Sequence, residues 1–191
     1  MYYVKRAIVW LYRWKHCRGF GVQSPTDYRF VRYVINEHAP FYAYRELANQ
    51  YPQLTKEERR FSELLLRVAN HRQPLVSVCL YGSHPVYHDY ILAGCKKSKV
   101  YEMKRGELFN GKADLICCHL ESGDSTTVEM LTALANEHCI LVVKNIRHQP
   151  SRDLWASLLK HPAVTISYDL YDCGIIIFDK KRYKHNYIIN F

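Results

Sequence analysis

The apolar positions change their period once along this chain, near Pro74. Before it the period is helical. Val4, Ala7, Ile8, Leu11 and Trp14 recur three and four residues apart, with Lys5, Arg6, Arg13, Lys15 and Arg18 interleaved. That spacing predicts a basic amphipathic helix with an aromatic-rich face. Gly19 and Gly21 stop it, Ser24 or Thr26 can cap the next helix, and Pro25 suits its first turn. Tyr28, Val31, Val34 and Ile35 give that second helix an apolar face, and Phe41–Asn49 reads as a further short helix. Thr55 followed by Glu58 has the spacing of a capping box. Phe61, Leu64, Leu65, Val68 and Ala69 then form the core stripe of a helix over 55–70.

After Pro74 short strand-like runs take over, at Leu75–Tyr81, Lys99–Glu102, Asp114–His119, Cys139–Val143, Val164–Tyr168 and Gly174–Phe178. Helical stretches at Pro85–Cys95, Ser125–Glu137 and Arg152–Lys160 lie between several of them. Alternation of this kind predicts a mainly parallel sheet with helices on its faces. The last two strands are joined only by Asp169–Cys173, too short for a parallel crossover, so they should form an antiparallel hairpin. Tyr187–Phe191 can add an edge strand. The expected fold is α/β and Rossmann-like, with a C-terminal antiparallel hairpin. Residues 1–72 are expected as a helical extension packed on the core and residues 73–191 as the Rossmann-like domain, together one compact unit.

Within the sheet region one spacing carries chemistry. The first strand runs into Gly82, Pro85 can open a helix, and Glu102 closes the second strand 20 residues past Gly82. Strand, turn, helix, strand, acid is the layout that positions a ribose in dinucleotide-binding proteins. The turn holds one glycine rather than a glycine-rich loop. Only 11 residues separate Glu102 from Asp114, too few for a further helix–strand–helix. The skeleton is that of a cofactor-binding fold cut down.

Charge and composition narrow the partners. The chain has 191 residues, a net charge of +9 and 48% hydrophobic residues. It can bury a full core, and its positive balance suits nucleic acid, a phosphorylated ligand or an anionic surface. No recognised nucleic-acid module accompanies that charge, so nucleic acid is not favoured; an unknown small molecule, a protein or a second copy in a homodimer stay open. Seven cysteines without a C-x-x-C pair argue reduced, buried thiols in a cytoplasmic protein rather than a zinc site. Cys117 and Cys118 should point to opposite sheet faces. His84, His88 and Asp89 have metal-like spacing but lack a third ligand, so no metal is expected. No apolar stretch is long enough for a membrane span. For the N-terminal helix, packing of its apolar stripe on its own domain is expected over a headgroup layer or stacked bases.

The order of elements resembles the class I S-adenosylmethionine-dependent methyltransferase fold. In detail it resembles small bacterial methyltransferase-like proteins, largely from Bacteroidetes, that carry Gly-x-Gly-(Val/Ile)-His-Ser-Pro after a first basic helix. The matching stretch here is Gly19-Phe20-Gly21-Val22-Gln23-Ser24-Pro25, and Val164–Phe178 and Tyr187–Phe191 match their aromatic C-terminal hairpin and tail. The resemblance implies S-adenosylmethionine as cofactor, Glu102 on its ribose, and Tyr81, Gly82 and Ser83 along its methionine part. His119 or Glu121 would orient the acceptor. The sequence departs from the family where an acid and a glycine-rich turn follow the first strand, here Tyr81-Gly82-Ser83-His84. Gly106–Ala113 replaces the elements that build the adenine pocket. His119, Lys144 and Asn145 stand where the family has carboxylates.

Read from the residues alone, His119 and Glu121 form a candidate acid–base pair at the end of a strand. Lys144, Asn145, Arg147 and His148 form a candidate anion cluster at the end of the next. Three functions follow: a methyltransferase with an unusual site, a non-catalytic relative acting as an interaction or scaffold protein, and an anionic-ligand or nucleic-acid binder using the basic strand ends.

Overall fold

A computed structural model describes residues 2–17, 19–80, 85–107, 109–120 and 126–191. A seven-stranded sheet runs through it in the order β2-β1-β3-β4-β6-β5-β7. The strands are β1 (Val76–Leu80), β2 (Lys99–Met103), β3 (Ala113–Cys118), β4 (Ala135–Lys144), β5 (Ile166–Asp169), β6 (Cys173–Ile177) and β7 (His185–Ile188). β2, β1, β3 and β4 are mutually parallel. β6 runs antiparallel to both β4 and β5, as the short link before it requires. β7 pairs parallel with β5 and forms one edge, starting two and ending three residues before the expected Tyr187–Phe191.

The helices are α1 (Tyr2–Tyr12), α2 (Pro25–Phe30), α3 (Ala43–Gln50), α4 (Lys56–Arg72), α5 (Pro85–Gly94), α6 (Val128–Leu134) and α7 (Ser151–Lys160). Their starts follow from local chemistry. The Ser24 hydroxyl accepts the Asp27 N–H at 3.3 Å and Pro25 opens α2. Thr55 and Glu58 make the reciprocal capping box of α4. Gly19 and Gly21 both lie at positive φ, +82° and +84°, so the turn between α1 and α2 needs their lack of a side chain. The Gly-x-Gly-…-Ser-Pro stretch is therefore a turn followed by a helix start.

Past α2 the chain widens into a π-turn over Val31–Ile35. Such a turn leaves carbonyls without helical partners. Buried Arg67 from α4 supplies them. Its Nε donates to Val34 O at 2.7 Å, its Nη2 to Ile35 O at 3.3 Å and its Nη1 to the Tyr44 hydroxyl at 2.9 Å. α6 is shorter than the expected 125–137 helix. Thr127 caps it through the Met130 N–H, and from Ala135 the chain extends as the first part of β4. A register shift opposite Ala113 and Leu115 absorbs Asn136–His138. The Asp114 carboxylate fastens that end of the sheet, accepting from Leu75 N, Val76 N, Arg72 and Asn136.

Two apolar layers sandwich the sheet. Cys79, Cys117, Val142 and Ile175 face α2, α4 and α5, while Val78, Ile116, Cys118 and Leu141 face α6 and α7. The neighbouring thiols of Cys117 and Cys118 thus sit in opposite layers, as strand alternation dictates. None of the seven cysteines forms a disulfide, and all but Cys17 are buried. α4 and the sheet share one core, so residues 56–72 are not an appendage. α5 crosses α4 at Gly94, where a Cβ would come within 2.2 Å of Leu66 O.

One expectation is reversed. The apolar stripe of α1 does not pack on its own domain: Val4, Ile8, Leu11 and the following Trp14 are all at least half exposed, and Val9 alone among the described apolar side chains of the helix is buried. The helix is held by the other face. Lys5 donates to Asp172 at 2.7 Å and Arg13 to Asp169 Oδ1 at 2.8 Å. Ion pairs at two turns' spacing outweighed the apolar stripe in deciding which side is docked. Among the described residues no helix is long and apolar enough to cross a membrane.

Candidate functional site

The parallel strands β2, β1, β3 and β4 end together at Met103, Leu80, Cys118 and Lys144. Open α/β sheets bind ligands beyond that carboxyl rim. Glu102 stands on it, exposed, and its carboxylate has no hydrogen-bond or ionic partner among the described residues. Met103 alternates to the opposite face. There it lines an apolar recess of about 200 Å³ with Leu80, Phe109, Gly111, Met130 and Leu134. Phe109 leans on Tyr101 with ring centroids 4.9 Å apart. A Cβ at Gly111 would meet the Phe109 ring at 2.7 Å, so a glycine there lets the ring close the recess. The expected contacts to a methionine part, Tyr81, Gly82 and Ser83, lie outside the described residues. So do Glu121 and His84.

At the end of β4 the described residues pack closely. Lys144 is only 7% exposed, and its Nζ donates to the Tyr87 hydroxyl at 2.9 Å. The ammonium also sits 5.6 Å from the Phe61 and Tyr87 ring centres. Burial pushes its pKa below that of an ordinary lysine, with Glu58 and Cys117 acting against the shift. Burial likewise pushes the Tyr87 phenol up. The His119 ring lies 6.4 Å from that of Tyr87, and its Nε2 is 3.3 Å from Asn145 Nδ2. His119, Lys144 and Asn145 therefore gather around Tyr87. The open space beside them, bounded by Glu57, Arg60, Phe61, Asp172, Cys173 and Phe191, is about 20 Å³. That is room for roughly one water molecule.

The remaining two residues of the expected anion cluster are elsewhere. Arg147 turns to Asp169, 2.6 Å away, and lies over Tyr171. His148 is exposed, and its N–H closes a turn on Asn145 O at 2.8 Å, a turn set by Asn145 at φ +59°. Among the described residues no three metal-ligating side chains converge. Sequence reasoning did not find Tyr87. It is one of two tyrosines on α5, and only its long-range approach to Lys144 at the end of β4 reveals the pair.

A larger cavity of about 630 Å³ lies away from the rim, between α2, the C-terminal end of α4 and the first half of β4. Three of its four arginines are engaged: Arg72 holds Asp114 and His138 O, Arg67 the π-turn carbonyls, and Arg182 Asp27 at 2.6 Å, while Arg29 is exposed.

No family model matches the chain, and no curated protein matches it. Solved structures do. An SAH-bound methyltransferase from Podospora anserina is 14% identical, covering 85% of this chain and 97% of its own, with a TM-score of 0.51. A methyltransferase from Geobacter sulfurreducens is 11% identical over 76% and 92% of the two chains, with a TM-score of 0.52. An O-methyltransferase from Bacillus cereus in complex with SAH is 10% identical over 78% and 96%, with a TM-score of 0.50. At these identities the likeness is one of fold: the chain has the α/β, Rossmann-like architecture of S-adenosylmethionine-dependent methyltransferases.

Proposed function

We propose that this chain is a divergent methyltransferase-fold protein, akin to the small Bacteroidetes group, that keeps a seat for an adenosyl ligand and no longer transfers a methyl group. The observation that carries the reading is Lys144, a buried ammonium in a filled corner where the family places acids.

The residues at the other half of the rim fit the adenosine part. Glu102 offers two free acceptor oxygens to a ribose diol. The recess under Met103 is apolar and smaller than the ~300–1,000 Å³ of whole-ligand sites, a space for the base alone. When bound, S-adenosylmethionine supplies an electrophilic methyl group on a sulfonium. Transfer needs a nucleophile held within about 3.5 Å of that carbon. Among the described residues the space at Lys144 is about 20 Å³, too small for an acceptor, a lysine there brings a cation rather than a carboxylate toward a sulfonium, and His119 is already engaged with Asn145.

Calorimetric titration with S-adenosylhomocysteine tests the reading. Micromolar binding, about −8 kcal/mol, is expected, with Glu102→Ala weakening it at least about tenfold, the scale of a lost charge-assisted hydrogen bond. Absence of binding at millimolar ligand overturns the ligand seat, and an unaltered affinity in Glu102→Ala overturns its location. Turnover of S-adenosylmethionine with any acceptor overturns the loss of transfer.

A further inference from the structure

We infer that α1 docks this protein onto an anionic lipid bilayer, with the outward apolar and aromatic face of the helix lying in the headgroup layer. The inference stands on how α1 is held and is independent of the ligand seat at Glu102.

Lys5, Val9 and Arg13 recur every four residues and share one side of the helix. That side faces the domain. Lys5 is paired with Asp172 and lies 3.8 Å from Glu57. Arg13 donates to Asp169 O at 2.9 Å and Ile189 O at 3.2 Å besides its pairing with the Asp169 carboxylate. The Asn190 amide donates to Trp10 O at 3.3 Å. These contacts fix the rotation of the helix, seated across the carboxyl rim beside β5 and β7.

The opposite side is then wholly apolar. Val4, Ile8, Leu11 and Tyr12 form its centre and Trp10 and Trp14 its flank, each between 50% and 86% exposed. Phe20, in the turn that follows, adds a further ring at 77% exposure. Covering one large apolar side chain is worth about 1.5–3 kcal/mol, so a contiguous row of them left in water marks a binding surface.

Charge identifies the occupant. Five basic residues and no acidic one precede Asp27. The two of them on the docked face, Lys5 and Arg13, are neutralised by Asp172 and Asp169. Lys15 is exposed over the Trp14 ring, and Lys56 of α4 lies 4.1 Å from the centre of the Tyr3 ring. The patch is apolar with a cationic border, and the nearby carboxylates Asp172 and Glu57 are turned to Lys5 on the docked side. A second copy brings the same cations to the same border, on a chain of net charge +9. An anionic bilayer satisfies both features, since tryptophan and tyrosine favour the headgroup level and each lysine or arginine near such a surface adds about 1 kcal/mol.

Sedimentation of the full chain with vesicles tests this, comparing phosphatidylcholine alone with a phosphatidylcholine–phosphatidylglycerol mixture at low and high salt. The wild type should sediment with the mixed vesicles at low salt and far less with the neutral ones. Its tryptophan emission should shift to the blue, since Trp10 and Trp14 are the two exposed indoles and Trp155 is buried. The double variant Ile8→Glu/Leu11→Glu should lower vesicle affinity at least about tenfold while keeping the thermal transition, both positions being solvent-facing. Tyr183→Glu, off the patch and 96% exposed, should sediment like the wild type. Absence of binding to mixed vesicles overturns the inference, as does binding indifferent to the double variant. A dimer in solution that the double variant dissociates, without vesicle binding, assigns the face to a second copy. Retention on single-stranded oligonucleotide without vesicle binding assigns it to nucleic acid. Either result overturns the bilayer.

Discussion

Asp27 shows how a single buried charge ties the ends of this chain together. It is 1% exposed and accepts from the Tyr168 hydroxyl at 2.5 Å, the Tyr187 hydroxyl at 3.0 Å and Arg182 at 2.6 Å. Burial pushes its carboxyl up, but hydrogen bonds from Tyr168, Arg182 and Ser24 outweigh burial and hold it below the ordinary carboxylate range. A carboxyl depressed on folding contributes stability that is fully present above its unfolded value, near 4, and is lost as pH falls through the folded value. Asp27→Asn should therefore cost about 3 kcal/mol at pH 7, the scale of breaking a buried pair. The gap from wild type should narrow as pH falls below about 4. Urea unfolding across that range checks it; a gap that stays constant into acid means the ionised carboxylate is not what holds the three donors. Sequence gave no hint of this residue, since its partners lie 141, 155 and 160 positions away.

At the scale of elements, legibility followed locality. The caps of α2 and α4, the turn at Gly19 and Gly21, the strand cores and the antiparallel hairpin are all set by residues within a few positions of one another, and the sequence pattern finds them. The docking side of α1 is not local: it is decided by Asp169 and Asp172, more than 150 residues on, and the apolar stripe pointed the wrong way. The first half of β4 was missed for a similar reason, because Ala135–His138 becomes strand only by pairing beside β3 and Asp114. The position of Glu102 at the end of β2 was legible from spacing, whereas the packing of Tyr87 against Lys144 was not. The α4–α5 crossing makes a sharp prediction about contact between elements. Gly94→Ala puts a methyl 2.2 Å from Leu66 O and 3.0 Å from the Ala69 Cβ. Backbone cannot yield as a flexible side chain does, so the cost should reach about 3 kcal/mol. The urea midpoint should drop at constant slope; a change below about 0.5 kcal/mol means the two helices slide freely.

At the scale of the whole molecule, the sheet has the doubly wound order with one flank shortened and the other extended. Such sheets place a further strand outside the second. Here β2 is itself the edge among the described strands, with the 104–112 loop in that place, and β7 is added beyond β5. Shortening removes a wall of the base-binding side, and Phe109 from the loop partly restores it over Met103. Extension creates the ledge on which α1 sits, since Ile189 and Asn190 follow β7. The helical first part is needed differently along its length. Leu64, Leu65, Leu66 and Val68 are fully buried against the face carrying Cys79, Cys117 and Val142. Residues 73–191 alone leave that face in water, and they should show no cooperative thermal transition and strong binding of a hydrophobic dye. Removing only residues 1–16 strips the ion pairs of Lys5 and Arg13 and one buried valine, and the transition should persist with a loss of about 1–3 kcal/mol. Calorimetry on both truncations separates the roles. A cooperative transition in 73–191 would make the sheet an independent unit, and collapse on losing 1–16 would make α1 part of the core rather than a surface device carried on it.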